Sequence, residues 1–377
     1  ATVTANKNID LLAQENSTIQ SLAGQISAAG VVAIGGSAAY NEMHNTVMAY
    51  ADHATLTSKT SDVVLKALSN STIKTVAAGG SFGIVGIAGS VAINLMEISV
   101  DAYLSDSEVY AEGTILVMAD AVNAVRTWGG TIAVGAVGIG GTAVINTLEN
   151  VTRSHVDHSD VVARGNAAPL SLTRFDPDTG EVSVESVSGL AVVANSTDDI
   201  EIRSSTVAIG VFGVAGNVSV NTVHDTTEAF IAASTVNTPE EFGGGVKVIA
   251  QQHTDVDVFG GALAAGGIVI AGAVDTTFVT NTTRAFISNS EDADGHPASD
   301  RSTVYAREVE ICSLTRERVT PIVAGAAISK IFSLAGSVSV VDLAGNNAAF
   351  VKESDIFCLG SLTVEAEDNA SVETLVG

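Results

Sequence analysis

The chain is short of most things that would announce a chemistry. It has 2 Cys, 5 Pro, 5% aromatic residues, and 17 Lys+Arg against 42 Asp+Glu, and each shortage excludes something. Two cysteines, Cys312 and Cys358, supply neither a disulfide framework nor a CxxC metal site. A net charge of −25 repels a phosphate backbone, and no basic cluster is interleaved with aromatics, so nucleic acid is excluded as a partner. The same charge suits a solvated acidic surface, or a surface that binds divalent cations. The Leu, Glu and Lys of helical bundles are scarce, which argues against long helices. Apolar runs such as IAVGAVGIGGTAVI at 132–145 are shorter than the roughly 20 residues of a membrane-spanning helix and read as buried strands. The chain opens at Ala1 with no Met, basic n-region or long apolar h-region, which reads as a processed or excised piece whose export signal has gone.

What is abundant is small and β-forming. Apolar residues make up 46% of 377 positions, with 36 Gly and much Ala, Val, Thr and Ser, enough to bury a large all-β core. The chain also repeats itself. Residues 88–109 read AGSVAINLMEISVDAYLSDSEV and 215–236 read AGNVSVNTVHDTTEAFIAASTV. Six copies can be anchored at Gly36, Gly89, Gly141, Gly216, Gly272 and Gly336, giving a module of about 52 or 53 residues.

Fourteen positions after each anchor stands a ring: Tyr50, Tyr103, His155, Phe230, Phe286 and Phe350. Eighteen after it stands Ala54, Ser107, Ser159, Ser234, Ser290 or Ser354, and two further an apolar slot broken only by Asp292. A second block precedes each anchor, starting at Ala13, Ala67, Ala119, Ala194, Ala250 and Ser313, with a seventh start at Ala366. AQENSTIQSLAG at 13–24 thus matches AEDNASVETLVG at 366–377, so the two termini share a phase. Extra residues enter only near 165–187, 237–243 and 291–303, as loops on one side of a stacked array do.

Within a module the alternation has period two, as in GTILVMA at 113–119, and polar clusters of Ser, Asn, Asp and Thr mark the turns. Strands of about five residues cannot each bury a face alone, but identical turns stacked about 4.8 Å apart can. The expected fold is therefore one continuous, elongated parallel β-helix over residues 1–377, with an array of β-sandwich modules as the alternative. Asn41, Asn94, Asn146 and Asn221 recur five residues after their anchors and are expected to form a ladder or cap a turn.

The pattern A-[YF]-[ILV]-x-x-S-x-V followed by G-x-[IV]-x-V-x-A, seen in AYLSDSEV with GTILVMA and in AFIAASTV with GGVKVIA, resembles the repeats of giant secreted bacterial surface proteins of the leukotoxin-type filamentous adhesin class. The resemblance covers nearly the whole chain. It implies an elongated right-handed β-helix displayed outside the cell, and it carries no catalytic residues with it.

Chemistry is sparse. HVDHSD at 155–160 splits its ligands between two faces of a strand, which defeats a single metal site. FDPDTGEV and EDADGH place Asp176, Asp178, Asp292 and Asp294 in the first half of a calcium-loop pattern without its closing Glu, so calcium is the one cofactor to test. Glu97 and Glu149 occupy equivalent positions with no obvious basic partner, and no GxSxG, HExxH or P-loop occurs. Asn16, Asn70, Asn150 and Asn281 begin Asn-x-Ser/Thr tripeptides. The expectation is a non-enzymatic, extracellular or cell-surface structural and adhesive protein. It would stack end to end into a homo-oligomeric filament and carry a possible surface glycan or cell-surface ligand, with no nucleic acid and no membrane span. A β-helical polysaccharide lyase or hydrolase, or a calcium-dependent binding module, is the alternative.

Overall fold

The computed structural model describes residues 1–289 and 300–377. No helix forms among them, and the strands pair in parallel from coil to coil, in a register that shifts by one residue where Gly266 to Ile268 meet Ser329 to Phe332. The fold is a parallel β-solenoid in which one repeat is one coil.

The strands are far longer than the five residues the turn spacing suggests. The first coil has a short strand Thr2–Ala5, an outbound strand Ile9–Ala28 and a return strand Val32–Asp52. The next two coils repeat this plan with outbound strands Val63–Phe82 and Ile115–Val134. From the fourth coil the outbound and return strands fuse across a bend, giving Gly189–Ala232, Gly245–Ser288 and Val309–Val351. Leu362–Val372 begins a seventh outbound strand. A 20-residue strand spans about 66 Å, whereas seven layers rise only about 29 Å. One chain is thus a flat slab, wider than it is tall, and it elongates along its axis only as coils are added.

The alternation explains the core. In Val63–Phe82 every second side chain points between the outbound and return sheets, and Leu65, Ile73, Ile98, Leu104, Ile115 and Leu148 are completely buried there. At the far tip the two sheets approach more closely than any side chain allows. A Cβ on Gly79 would stand 2.5 Å from the Gly89 carbonyl oxygen, and one on Gly325 2.7 Å from that of Gly336. At the other end the chain turns a corner through left-handed residues, His53, Asp106, His158, Ala233 and Glu353, all near φ 45–47°. Immediately after these corners come the recurring serines, which form a ladder. Ala54 N–H donates to Ser107 Oγ (3.1 Å), Ser107 N–H to Ser159 Oγ (3.1 Å), Ser159 N–H to Ser234 Oγ (3.0 Å) and Ser234 N–H to Ser302 Oγ (3.3 Å).

That ladder corrects the fifth module. Ser302, not Ser290, fills the serine slot, and the apolar slot two residues on is Val304, fully buried and paired with Val236. Counting forward from the glycine anchor assigned these slots to Ser290 and Asp292 because the inserted segment precedes the serine instead of following it. Ser290, Asp292 and Asp294 lie outside the described residues.

The first insertion is more than a loop. Leu170–Phe175 and Val182–Val187 pair antiparallel, and this hairpin folds back over the outer face of the outbound sheet. Leu172 and Val187 close there over Leu116, Val193, Ile249 and Leu314. Arg174 and Lys247 both ion-pair with Glu310 along its rim.

Candidate functional site

Three kinds of surface stand out: polar columns inside the slab, charged rows on its outer faces, and an apolar outer field near the tip.

The asparagine row is an interior ladder. Asn41 Nδ2 donates to Asn94 Oδ1 (2.8 Å), Asn94 Nδ2 to Asn146 Oδ1 (2.7 Å) and Asn146 Nδ2 to Asn221 Oδ1 (3.0 Å). Thr75 and Thr127 brace it from the facing strand at 2.6–3.0 Å. A second column, four residues further along the return strand, contains two fully buried carboxyls, Asp198 and Asp225. Asp198 accepts from Asn123 Nδ2 (3.0 Å), Asn150 Nδ2 (2.9 Å) and Gln252 Nε2 (2.8 Å). Gln252 Nε2 also reaches Asp225 Oδ2 (3.2 Å). Neither carboxyl forms an ion pair among the described residues, and burial followed by the neighbouring Asp198 charge raises Asp225 well above the ordinary carboxylate range. Three amides already satisfy Asp198, so the arrangement suits an ionised Asp198 beside a protonated Asp225. Of the tripeptide asparagines named above, Asn150 and Asn281 belong to this column and are buried, whereas Asn16 and Asn70 face outward.

The aromatic positions form a continuous stack. Tyr50, Tyr103, His155, Phe230, Phe286 and Phe350 lie with ring centroids 4.7–5.0 Å apart and planes within 9° of parallel. Four of them, His155, Phe230, Phe286 and Phe350, line a groove with Asp101, Arg153, Glu228 and Arg284, in which Arg153 and Arg284 both pair with Glu228. His155 therefore serves as a member of the ring stack, and His158 pairs outward with Asp157 at 3.0 Å. Asp52, His53 and Asp106 converge within 4.8 Å at the exposed corner, where His53 Nδ1 lies 2.7 Å from Asp52.

Glu97, which has no basic partner visible in the sequence, has one across the coil. His44 Nδ1 sits 2.8 Å from Glu97 Oε2, its Nε2 lies 2.7 Å from Glu42, and Tyr40 donates to Glu42 at 2.8 Å. Both carboxylates hold the His44 imidazole above its usual pKa, Glu42 most strongly. Sequence spacing hid this chain because it joins residues 53 apart.

Asp176 and Asp178 cap the hairpin. Asp176 Oδ1 accepts backbone N–H bonds from Asp178 (2.9 Å) and Thr179 (2.8 Å), which hold its carboxyl below the ordinary range. Asn369 Nδ2 occupies Asp178 Oδ1 at 2.8 Å, and the Arg316 guanidinium bonds the carbonyls of Pro177 and Asp178 at 2.9 Å each. One carboxylate oxygen of each Asp is thus engaged by a protein donor, and a cationic side chain holds the two neighbouring carbonyls.

The apolar field reverses an expectation. Gly-rich runs such as 132–145 read as buried strands; they are strands, but only one of their faces is inside. Ile132, Ile139 and Ile145 point outward at 48%, 40% and 36% exposure. Polar residues mark the outward face elsewhere on the slab, but here both faces are apolar, so the alternation does not show in the sequence.

The chain matches no family model, no curated protein and no solved structure.

Proposed function

We propose that this protein is a structural section of an extracellular β-solenoid, a stalk, fibre or sheath of the surface-adhesin kind, whose work is done by the stack itself. The observation that carries this reading is the ladder: every coil repeats the same strands in register, and serine, asparagine and aromatic rows run through it along the axis. Rows of this kind resist extension along the axis, because separating two coils breaks main-chain, side-chain and ring contacts together. The edges left at Ile9–Ala28 and Leu362–Val372 share a phase, so a further coil continues them. Head-to-tail contact between rigid copies pairs the short and outbound strands. It leaves the return ladder one layer open, since that ladder has six strands against seven.

Electron microscopy of the natively purified protein tests the proposal. Rods or filaments about 66 Å wide with a layer spacing near 4.8 Å are expected. Single slabs at every concentration, together with release of reducing ends from acidic glycans, would overturn it in favour of a β-helical glycan-cleaving enzyme.

A further inference from the structure

The outer face of the return sheet near the tip is uncharged throughout. Five rows run across its six coils, beginning at Val32, Ile34, Gly36, Ala38 and Tyr40, and no position in them carries a charged side chain. The central row is Gly36, Gly89, Gly141, Gly216, Gly272 and Gly336. Nothing within this chain requires glycine there. A Cβ on Gly141, Gly216 or Gly336 meets no atom within 4 Å, and on the other three only a carbonyl oxygen at 3.8–3.9 Å. The row is a groove between two ridges, with Ile34 63%, Leu334 55% and Val338 52% exposed on its flanks.

We infer that this face packs against the same face of a second copy. About nine residues along the strand and six layers give an area of about 850 Å². A stable interface needs about 800 Å² from each partner. A two-fold axis parallel to the stack, between the Gly36 and Ala38 rows, seats each copy's Ala38-to-Val338 ridge in the other's glycine groove. An axis along the strands would set groove against groove and leave a void. Both copies repeat every 4.8 Å, so ridge and groove match in every coil. The chain already covers one apolar outer patch in this way, laying the hairpin of Leu170–Phe175 and Val182–Val187 over Leu116 and Ile249. A hydrocarbon layer is a poorer occupant. The outermost return strands, Val32–Asp52 and the 332–351 stretch, carry unpaired N–H and C=O groups through the same field, and lipid cannot satisfy them. The pairing is lateral, so it stands apart from any axial stacking.

Sedimentation of the full chain between about 1 and 100 µM tests it, with circular dichroism to confirm folding. Wild type and Thr226→Lys, which lies on the same outer face beyond the field, are expected to pair. Gly141→Lys and Gly216→Lys place a charge where the free chain has room for it and are expected to weaken pairing at least about a hundredfold while remaining folded. Val218→Lys, on the ridge, repeats the test without altering a glycine. A wild type that stays monomeric, or pairing that survives all three substitutions, would overturn the inference. So would flotation of wild type with phosphatidylcholine vesicles that the lysine variants lose, which would make lipid the occupant. Filaments that persist in Gly141→Lys would bear on axial stacking alone.

Discussion

Replacing Glu317 with Gln is expected to stabilise the protein at neutral pH. Glu317 lies on the last complete coil, points between the two sheets and is 1% exposed. Its Oε1 has no hydrogen-bond partner, and neither does Oδ1 of the neighbouring Asn281. Two buried acceptors without a donor describe a carboxyl that folds best as the neutral acid, whose proton is the missing donor. Burial, with the Asp368 charge as the second cause, raises its pKa from 4.5 to about 7. The folded-state pKa lies above the unfolded one, so the folded state holds the proton more tightly. The associated stability is complete below pH 4.5 and is lost as pH rises to about 7. A rise of that size corresponds to about 3 kcal/mol. Gln cannot titrate, and its amide supplies the donor at every pH. The assay is denaturant unfolding of both proteins from pH 4 to 8, with amide exchange followed in residues 309–323 because stacked repeats need not unfold in one step. Glu317→Gln should gain about 3 kcal/mol on wild type across this window and converge with it at the acid end. Asp198, Asp225 and Asp275 titrate in both proteins and cancel in the difference. Parallel curves, or a variant less stable than wild type at pH 7.5, would refute the reasoning.

The other buried polar groups give further tests by the same assay. Asn94→Ala removes hydrogen bonds to Asn41, Thr75, Thr127 and Asn146 at 2.6–2.8 Å and leaves their partners buried, a loss of about 2–4 kcal/mol. Asp225→Asn is expected to stabilise at pH 7, since burial and Asp198 hold that carboxyl protonated only up to a raised pKa, whereas Asp198→Leu strands three amide donors and costs at least about 3 kcal/mol. Removing calcium with a chelator is expected to leave the thermal midpoint unchanged, because protein donors already hold Asp176 Oδ1 and Asp178 Oδ1 and the Arg316 guanidinium sits on the adjoining carbonyls; a fall of several degrees would restore the calcium module.

The repeat made the coil legible. Six glycines, six rings and four asparagines fall into single rows without a gap, because a stacked strand places equivalent residues directly over one another. The length of the strands was not legible. In 76–93 both faces are apolar or glycine, so no polar residue marks the outward side and the strand reads as a buried run. Nor was the pairing of His44 with Glu97, which depends on knowing that adjacent coils lie 53 residues apart and that both side chains face out. The fifth serine was misplaced for a related reason: with an insertion in the coil, the phase is fixed by contacts between coils, the hydrogen bond from Ser234 to Ser302 and the pairing of Val236 with Val304.

One consequence of the long coil is that charge is divided between the two ends of the slab. Thr75 on the outbound strand meets Asn41 and Asn94 on the return strand, so the outward rows beginning at Leu22 and Tyr40 sit back to back. Charge begins one row beyond on both faces, at Lys74 and Arg126 on one side and Glu42 on the other. Between those rows and the tip, in 22–40, 76–93, 128–145, 203–220, 259–276 and 322–340, the charged residues are Arg203, Asp275 and Lys330, and Asp275 is buried. The tip stretches thus carry two positive charges and one negative, and the acidic excess among the described residues resides on the half of the slab that holds the aromatic groove and the corners. Like charges repel wherever two copies approach by that half, and the repulsion is screened within about 10 Å at 0.1 M salt. Approach by the uncharged half meets no such barrier and removes apolar area from water. A protein whose surface were acidic all round would be held apart from its own copies. This one is held apart on one half only, so the glycine-grooved face lies where lateral approach of a second copy meets no electrostatic barrier.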